Sequence, residues 1–186
     1  MRQIGCYRSE DVKKFSIMPP ELIWVNKTQA ETDENYRQII PYAVLKYTDK
    51  YFIYQRKNQA EKRFNGQWSL GVGGHLERED YLNAKSQKPW RVLDAVENCF
   101  IRELIEEIPN IFECISFLNT AYNFLTTIDI HATDLDKYHI GAAYLVNLKT
   151  DNLLLSDEVH NGHFVTKEEF KNYDLESWSE YLVDFI

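Results

Sequence analysis

Residues 102 to 107 have the sequence Arg-Glu-Leu-Ile-Glu-Glu, near the end of a segment with helical periodicity. A helix turns by about 100° per residue, so Glu103, Glu106 and Glu107, at positions i, i+3 and i+4, share one face. The opposite side is apolar with the same spacing, and it consists of Ile101, Leu104, Ile105 and Ile108. The segment therefore predicts an amphipathic helix with an acidic face.

The acidic face of this helix has two interpretations. In an isolated helix, such a face is most often a solvated surface. Two costs argue against that role here, because carboxylates four residues apart repel each other and a helix C-terminus disfavours negative charge. A bound cation offsets both costs, and hard carboxylate oxygens suit Mg²⁺ or Mn²⁺. The pattern therefore makes the three glutamates candidate metal ligands.

The sequence around this segment predicts a sheet accompanied by helices. The acidic helix should cover about residues 90–108, since Pro89 precedes it and Pro109 stops it. Aromatic and β-branched runs around a polar turn predict a hairpin of residues 42–47 and 51–55. Further strands are expected at 115–118, 123–128 and 140–147, and further helices at 167–173 and 176–185. The residues before Pro41 look polar and irregular. This order of elements predicts a sheet flanked by helices.

A glycine-rich stretch, Gly71-Val72-Gly73-Gly74, follows an apolar run. Alone it is a weak signal, since glycines commonly mark a bulge or a turn. A backbone without side chains also lets a phosphate or a metal-bound carbonyl come close. The stretch matches neither the dinucleotide-binding GxGxxG pattern nor the Walker pattern, so neither of those sites is supported.

Composition restricts the class of protein. The chain has 186 residues, of which 44% are hydrophobic, and a formal net charge of -8. That length suits one domain with its own core, and an acidic surface disfavours binding to a nucleic acid duplex. The three cysteines form no CxxC pair, the first residues form no apolar signal segment, and no stretch is long enough to span a membrane. We expect a cytoplasmic protein that does not bind membranes.

Together the glycines and the acidic helix resemble the Nudix box, G-x5-E-x7-R-E-U-x-E-E-x-G-U, where U is a bulky aliphatic residue. Gly74 is followed at the box spacing by Asp80, Glu77 matches a common acid between them, and residues 102–107 match R-E-U-x-E-E in full. Three departures stand out. Residues 81–101 are 21 where the box has seven, the first acid is Asp, and Pro109 replaces the final glycine. An alternative alignment places the first acid at Asp94.

The resemblance extends beyond the box to a less-studied branch of predicted Nudix phosphoesterases. The matching pieces occur in order at residues 38–42, 71–75, 139–141 and 176–179. This likeness implies an α/β (α+β) fold, namely an α/β/α sandwich with a central mixed sheet. It also implies a single domain, with residues 1–35 as an N-terminal extension and 36–186 as the Nudix core.

The resemblance also implies roles for individual residues. Glu106 and Glu107 are expected to be the main Mg²⁺ or Mn²⁺ ligands, and Glu103 a ligand or the base that deprotonates water. In the family the box arginine is structural, so Arg102 is expected to anchor the acids by a salt bridge. The backbone carbonyl of Gly73 is expected to be a further ligand.

Other expected site residues lie outside the helix. Glu158 is a candidate metal ligand from a later loop, although a solvated loop acid is an equal alternative. Arg56 and Arg63 are candidates for binding substrate phosphates, with surface charge as the competing interpretation. The box loop adds three candidates for substrate binding, namely Gly74, Glu77 and Asp80.

The function that the resemblance implies is metal-dependent hydrolysis of a phosphoanhydride bond in a small nucleoside-diphosphate-linked or related diphosphate substrate. A diphosphate isomerase on the same fold is one alternative, but it needs a further catalytic Cys or acid pair, and Cys99 looks like a packing residue. A non-catalytic nucleotide-binding module is the other, but such modules often lose box acids. The resemblance is also compatible with a homodimer. Substrate identity is set by loops and does not follow from the fold.

Overall fold

The computed structural model describes residues 2–12, 19–56, 66–116 and 121–186. The strands of the described residues are β1 (Gln3–Arg8), β2 (Ile23–Asn26), β3 (Tyr36–Tyr47), β4 (Lys50–Arg56), β5 (Trp68–Ser69), β6 (Gly71–Gly73), β7 (Tyr122–Ile128), β8 (His139–Leu148) and β9 (Val159–Thr166). The α-helices are α1 (Ser9–Val12), α2 (Lys27–Ala30), α3 (Arg78–Leu82), α4 (Arg91–Glu107), α5 (Ile111–Cys114) and α6 (Ser177–Leu182). Short 3₁₀ helices cover Asp136–Tyr138, Lys167–Asn172 and Val183–Phe185. Each helix in the described ranges is too short or too polar to span a bilayer.

The predicted fold class, a sheet accompanied by helices, is confirmed. The acidic helix (α4), the hairpin (β3 and β4) and the strands β7 and β8 lie where their sequence patterns predict them. Two local predictions are wrong: residues 115–116 form a bend instead of a strand, and the region before Pro41 contains β1, β2 and the start of β3. Residues 117–118 of that predicted strand lie outside the described residues, and β9 was not predicted.

The chain divides into two compact units. The first comprises residues 1–41, 73–102 and 127–142, and the second comprises residues 42–72, 103–126 and 143–186. The division runs through β3, β6, β7, β8 and α4, which contribute residues to both units. It does not follow the predicted boundary at residue 36, and the assignment of one domain with an N-terminal extension stays a prediction.

In the first unit, β1 is the middle of an antiparallel set. It pairs with β2, with Ile4 opposite Val25, and with the start of β3, with Cys6 opposite Gln38. Ile4, Cys6, Val25 and Ala30 of α2 form a buried apolar cluster there. Burial raises the pKa of the Cys6 thiol to about 12, so this cysteine stays protonated and serves packing.

In the second unit, β4 of the β3–β4 hairpin also pairs with β5 and β9. Lys46 lies opposite Tyr51, β5 pairs with β4 through Tyr54 and Ser69, and β9 pairs with β4 along most of its length. All these pairs are antiparallel. The residues of β3 in this unit from 42 to 45 are buried without interruption, which is why they are a continuous apolar run instead of an alternating one.

Gly71 leaves space for the ring of Tyr42 in the second unit. A Cβ atom at Gly71 would lie 2.1 Å from Cε1 of Tyr42. The Tyr42 hydroxyl accepts a hydrogen bond from the Gly71 backbone N–H at 3.0 Å and donates one to the buried carboxylate of Glu176 at 2.6 Å. Ser69 also donates to Glu176, at 2.6 Å. This glycine is therefore needed for close packing of the backbone on Tyr42.

We expect Gly71→Ala to lower the free energy of unfolding by about 1–3 kcal/mol, the usual cost of forcing an extra methyl group into a packed core. The added atom meets the ring of Tyr42, and moving that ring breaks its hydrogen bonds. Urea unfolding followed by tryptophan fluorescence measures the effect. A variant as stable as the wild type would show that the ring relaxes freely.

Candidate functional site

The carboxylates of α4 lie at the end of that helix as the sequence predicts. The last turn is Leu104-Ile105-Glu106-Glu107, so two acids stand where the helix dipole disfavours them. Glu103 is buried with 9% of its surface exposed, Glu106 is exposed and Glu107 is half-buried. All three belong to the second unit. Solvent exposure of the three carboxylates thus increases from Glu103 through Glu107 to Glu106.

A loop that follows β8 is hydrogen-bonded to the C-terminal end of α4. Ser156 donates its hydroxyl proton to Oε2 of Glu107 at 2.5 Å, and its backbone N–H donates to the Glu107 carbonyl at 2.9 Å. The second bond satisfies one of the carbonyls left unpaired at a helix end. Sequence reasoning missed Ser156, since a serine in a loop carries no periodic signal.

The donor chemistry of this helix end fits a divalent metal. Carboxylate oxygens are the ligands of Mg²⁺, which proteins commonly bind through one or two carboxylates while substrate phosphates and water complete the shell. Within the described ranges, no three His, Cys, Asp or Glu side chains are grouped closely enough to hold a metal ion by themselves.

Arg102 belongs to the first unit and pairs there with Asp80. Its Nε and Nη2 donate to the two oxygens of Asp80 at 3.1 and 3.0 Å, and Nη2 also donates to the His75 carbonyl at 3.0 Å. The Asp80 side chain is 5% exposed. Its Oδ2 accepts a further bond from the Glu77 backbone N–H at 2.9 Å. The bidentate pair therefore fixes the loop after Gly74 to α4.

Asp80 and Asp94, the two candidates for the first acid, have different partners. Asp94 does not take the place of Asp80, because it lies in the first turn of α4 and accepts a hydrogen bond from the Ser86 backbone N–H at 2.8 Å. That hydrogen bond lowers the pKa of Asp94. Asp94 thus holds the inserted segment, whereas Asp80 is the acid that meets the box arginine.

The insertion folds back on the start of α4 and leaves the end of the helix intact. Arg91 donates to the carbonyls of Tyr81 and Leu82 at 3.1 and 3.2 Å, and its guanidinium lies 4.7 Å from the centre of the Tyr81 ring. The residues between Asp80 and Arg102 therefore form the end of α3, the following loop and most of α4. Asp80 and Arg102 form an ion pair across this segment.

The remaining predicted site residues have different surroundings. Gly73 and Gly74 are half-buried in the first unit, and Glu77 forms an ion pair with Arg2. Glu158 is exposed in the second unit, directly before β9. Arg56 ends β4 opposite Val159, and Arg63 lies outside the described residues. The metal and substrate roles of these residues stay predictions.

Comparison with known proteins identifies the fold. No protein-family model matches the chain. The curated Protein YmaB of Bacillus subtilis (strain 168) is 29% identical over 169 residues, which are 87% of this chain and 77% of that protein. The crystal structure of Tm1382, a presumed Nudix hydrolase, superposes with a TM-score of 0.70 at 24% identity and covers 99% of both chains.

Two further solved structures contain ligands. The NUDIX domain of Shewanella oneidensis NrtR, complexed with ADP ribose, has a TM-score of 0.56 at 16% identity over 80% of this chain and 84% of that one. A bifunctional NMN adenylyltransferase/ADP ribose pyrophosphatase from Francisella tularensis, complexed with AMP and a Mn ion, has a TM-score of 0.56 at 15% identity over 94% and 43%. The chain therefore has the Nudix fold.

Proposed function

We propose that this chain, which has the Nudix fold, is a metal-dependent hydrolase of a phosphoanhydride bond in a small diphosphate compound. The observation that carries the proposal is the end of α4, where Glu103, Glu106 and Glu107 share one face of a helix at its electrostatically unfavourable end. Carboxylates three and four residues apart repel each other at that end of a helix, and a bound cation would offset this cost.

Glu106 and Glu107 would hold a Mg²⁺ or Mn²⁺ ion. When bound, such an ion neutralises phosphate charge and lowers the pKa of an attacking water. Glu103 is sheltered at 9% exposure and serves as a further ligand or as the acceptor of the proton that this water loses. Arg102 touches Asp80 and holds the loop, so its part is to position neighbouring residues rather than to contact substrate.

The substrate class is proposed from the ligands of the two structural neighbours. ADP ribose and AMP are bound to proteins of the same fold, and both are adenosine phosphates. We infer a nucleoside-diphosphate-linked or related substrate. Glu158 is a candidate for a further metal ligand. Because loops set specificity in a shared fold, the second half of the substrate stays open.

A binding module without catalysis is the second candidate. It is favoured by the solved NUDIX domain that holds ADP ribose. The two functions differ in one measurable property, since a binding module retains its ligand unchanged whereas a hydrolase releases product.

The experiment is a turnover assay on a panel of ADP-ribose, dinucleoside polyphosphates, nucleoside triphosphates, NADH, coenzyme A and nucleotide sugars. We expect release of phosphate or a nucleoside monophosphate from at least one compound with Mg²⁺ or Mn²⁺. Activity should vanish with excess EDTA and return when metal is restored, because the metal would neutralise the phosphate charge and lower the pKa of the attacking water. Tight binding without turnover would favour the module, and neither binding nor turnover would refute both.

A further inference from the structure

The hydroxyl of Ser156 is placed between two acidic residues of the second unit. It donates to Oε2 of Glu107 at 2.5 Å and accepts a hydrogen bond from the Glu158 backbone N–H at 3.3 Å. A serine hydroxyl has one proton and two lone pairs, so both bonds are compatible with its chemistry. The same side chain thus orients the Glu107 carboxylate and fixes the backbone from which Glu158 projects.

Several other hydrogen bonds hold this loop on the end of α4. The side chain of Asn110 donates to the Asn152 carbonyl at 2.9 Å and accepts from the Leu154 N–H at 2.8 Å. The Ser156 N–H donates to the Glu107 carbonyl at 2.9 Å. These bonds are independent of the Ser156 hydroxyl, so the loop keeps its anchor when that hydroxyl is removed. The Ser156 hydroxyl is therefore not needed to anchor the loop.

We propose that Ser156 is a positioning residue for metal binding, in that its hydroxyl fixes Oε2 of Glu107 and so would orient this carboxylate toward a bound ion. This inference rests on the proposed function of the α4 carboxylates. A carboxylate held by a neighbouring donor loses less rotational freedom when it binds a cation. Partners of this kind typically contribute 10- to 100-fold to metal affinity.

The test is a titration of the full chain with Mn²⁺ alone, with free Mn²⁺ followed by electron paramagnetic resonance. We expect Ser156→Ala to weaken Mn²⁺ binding by roughly 10-fold to 100-fold. Ser156→Thr keeps the hydroxyl and should bind Mn²⁺ nearly as the wild type does. Ser156→Val has the shape of the threonine variant without its hydroxyl, and it should bind Mn²⁺ as weakly as the alanine variant. The Thr and Val pair separates loss of the hydroxyl from a change of volume.

Asn152→Ala is the matched control, because its exposed side chain lies in the same loop and the loop anchor uses only its backbone carbonyl. It should bind Mn²⁺ as the wild type does. Equal affinity of the Thr and Val variants would overturn the role of Ser156. If Glu106→Gln abolishes binding in that case, the proposed function survives alone. A wild-type chain that binds no Mn²⁺ refutes both.

Discussion

Glu106→Gln is expected to lower metal-dependent turnover by on the order of 10²- to 10³-fold, comparable to losing one preorganised electrostatic contact in other active sites. The substitution keeps the size of the side chain and removes its negative charge. Glu106 is exposed at the end of α4, so no packing is lost and the fold should remain intact. The measurement is kcat and KM on the substrate found in the panel, with the metal concentration varied.

Glu97→Gln provides the matched control for this variant. Glu97 is an exposed glutamate of the same helix, nine residues earlier, which is about 2.5 turns and places it on the opposite face. The charge change is identical, so an effect of net charge alone would appear in both variants. We expect Glu97→Gln to retain full activity. Equal losses in the two variants, or full activity in Glu106→Gln, would remove Glu106 from the metal site.

Asp80→Ala is expected to lower the free energy of unfolding by about 3 kcal/mol, the lower end of the cost of removing one partner of a buried ion pair. The lower end applies because the Arg102 side chain is 24% exposed and regains part of its hydration, whereas Asp80 is 5% exposed. The variant also leaves the Glu77 N–H without its carboxylate acceptor. Such a loss is a large part of the 5–15 kcal/mol of a typical domain.

Urea unfolding of four chains measures this pair: the wild type, each single variant, and Asp80→Ala combined with Arg102→Ala. Residues in direct contact should show a coupling energy of roughly 0.5–3 kcal/mol. Glu79→Ala is the control, because Glu79 is exposed in the same short helix and its loss should cost within about 0.5 kcal/mol. Strictly additive single effects would show that the Arg102–Asp80 contact contributes nothing to stability.

Several parts of the fold could be predicted because their signals are local. The bounds of α4 follow from helical periodicity between two prolines, and the β3–β4 hairpin follows from aromatic and β-branched runs around a polar turn. Pairing of β1 with β3 and of β9 with β4 could not be predicted in this way, since strand partners distant along the chain leave no periodic mark.

For the candidate site, the sequence by itself determined that three carboxylates share a face at the end of one helix, because residues three and four apart on a helix are neighbours whatever surrounds them. Only the tertiary structure decided which acid pairs with Arg102, since Asp80 and Asp94 are both compatible with the sequence pattern. Asp80 and Arg102 are 22 positions apart in the sequence. The tertiary structure alone placed Ser156 on Glu107, 49 residues away. Such contacts depend on where the folded chain returns, which side-chain periodicity does not encode.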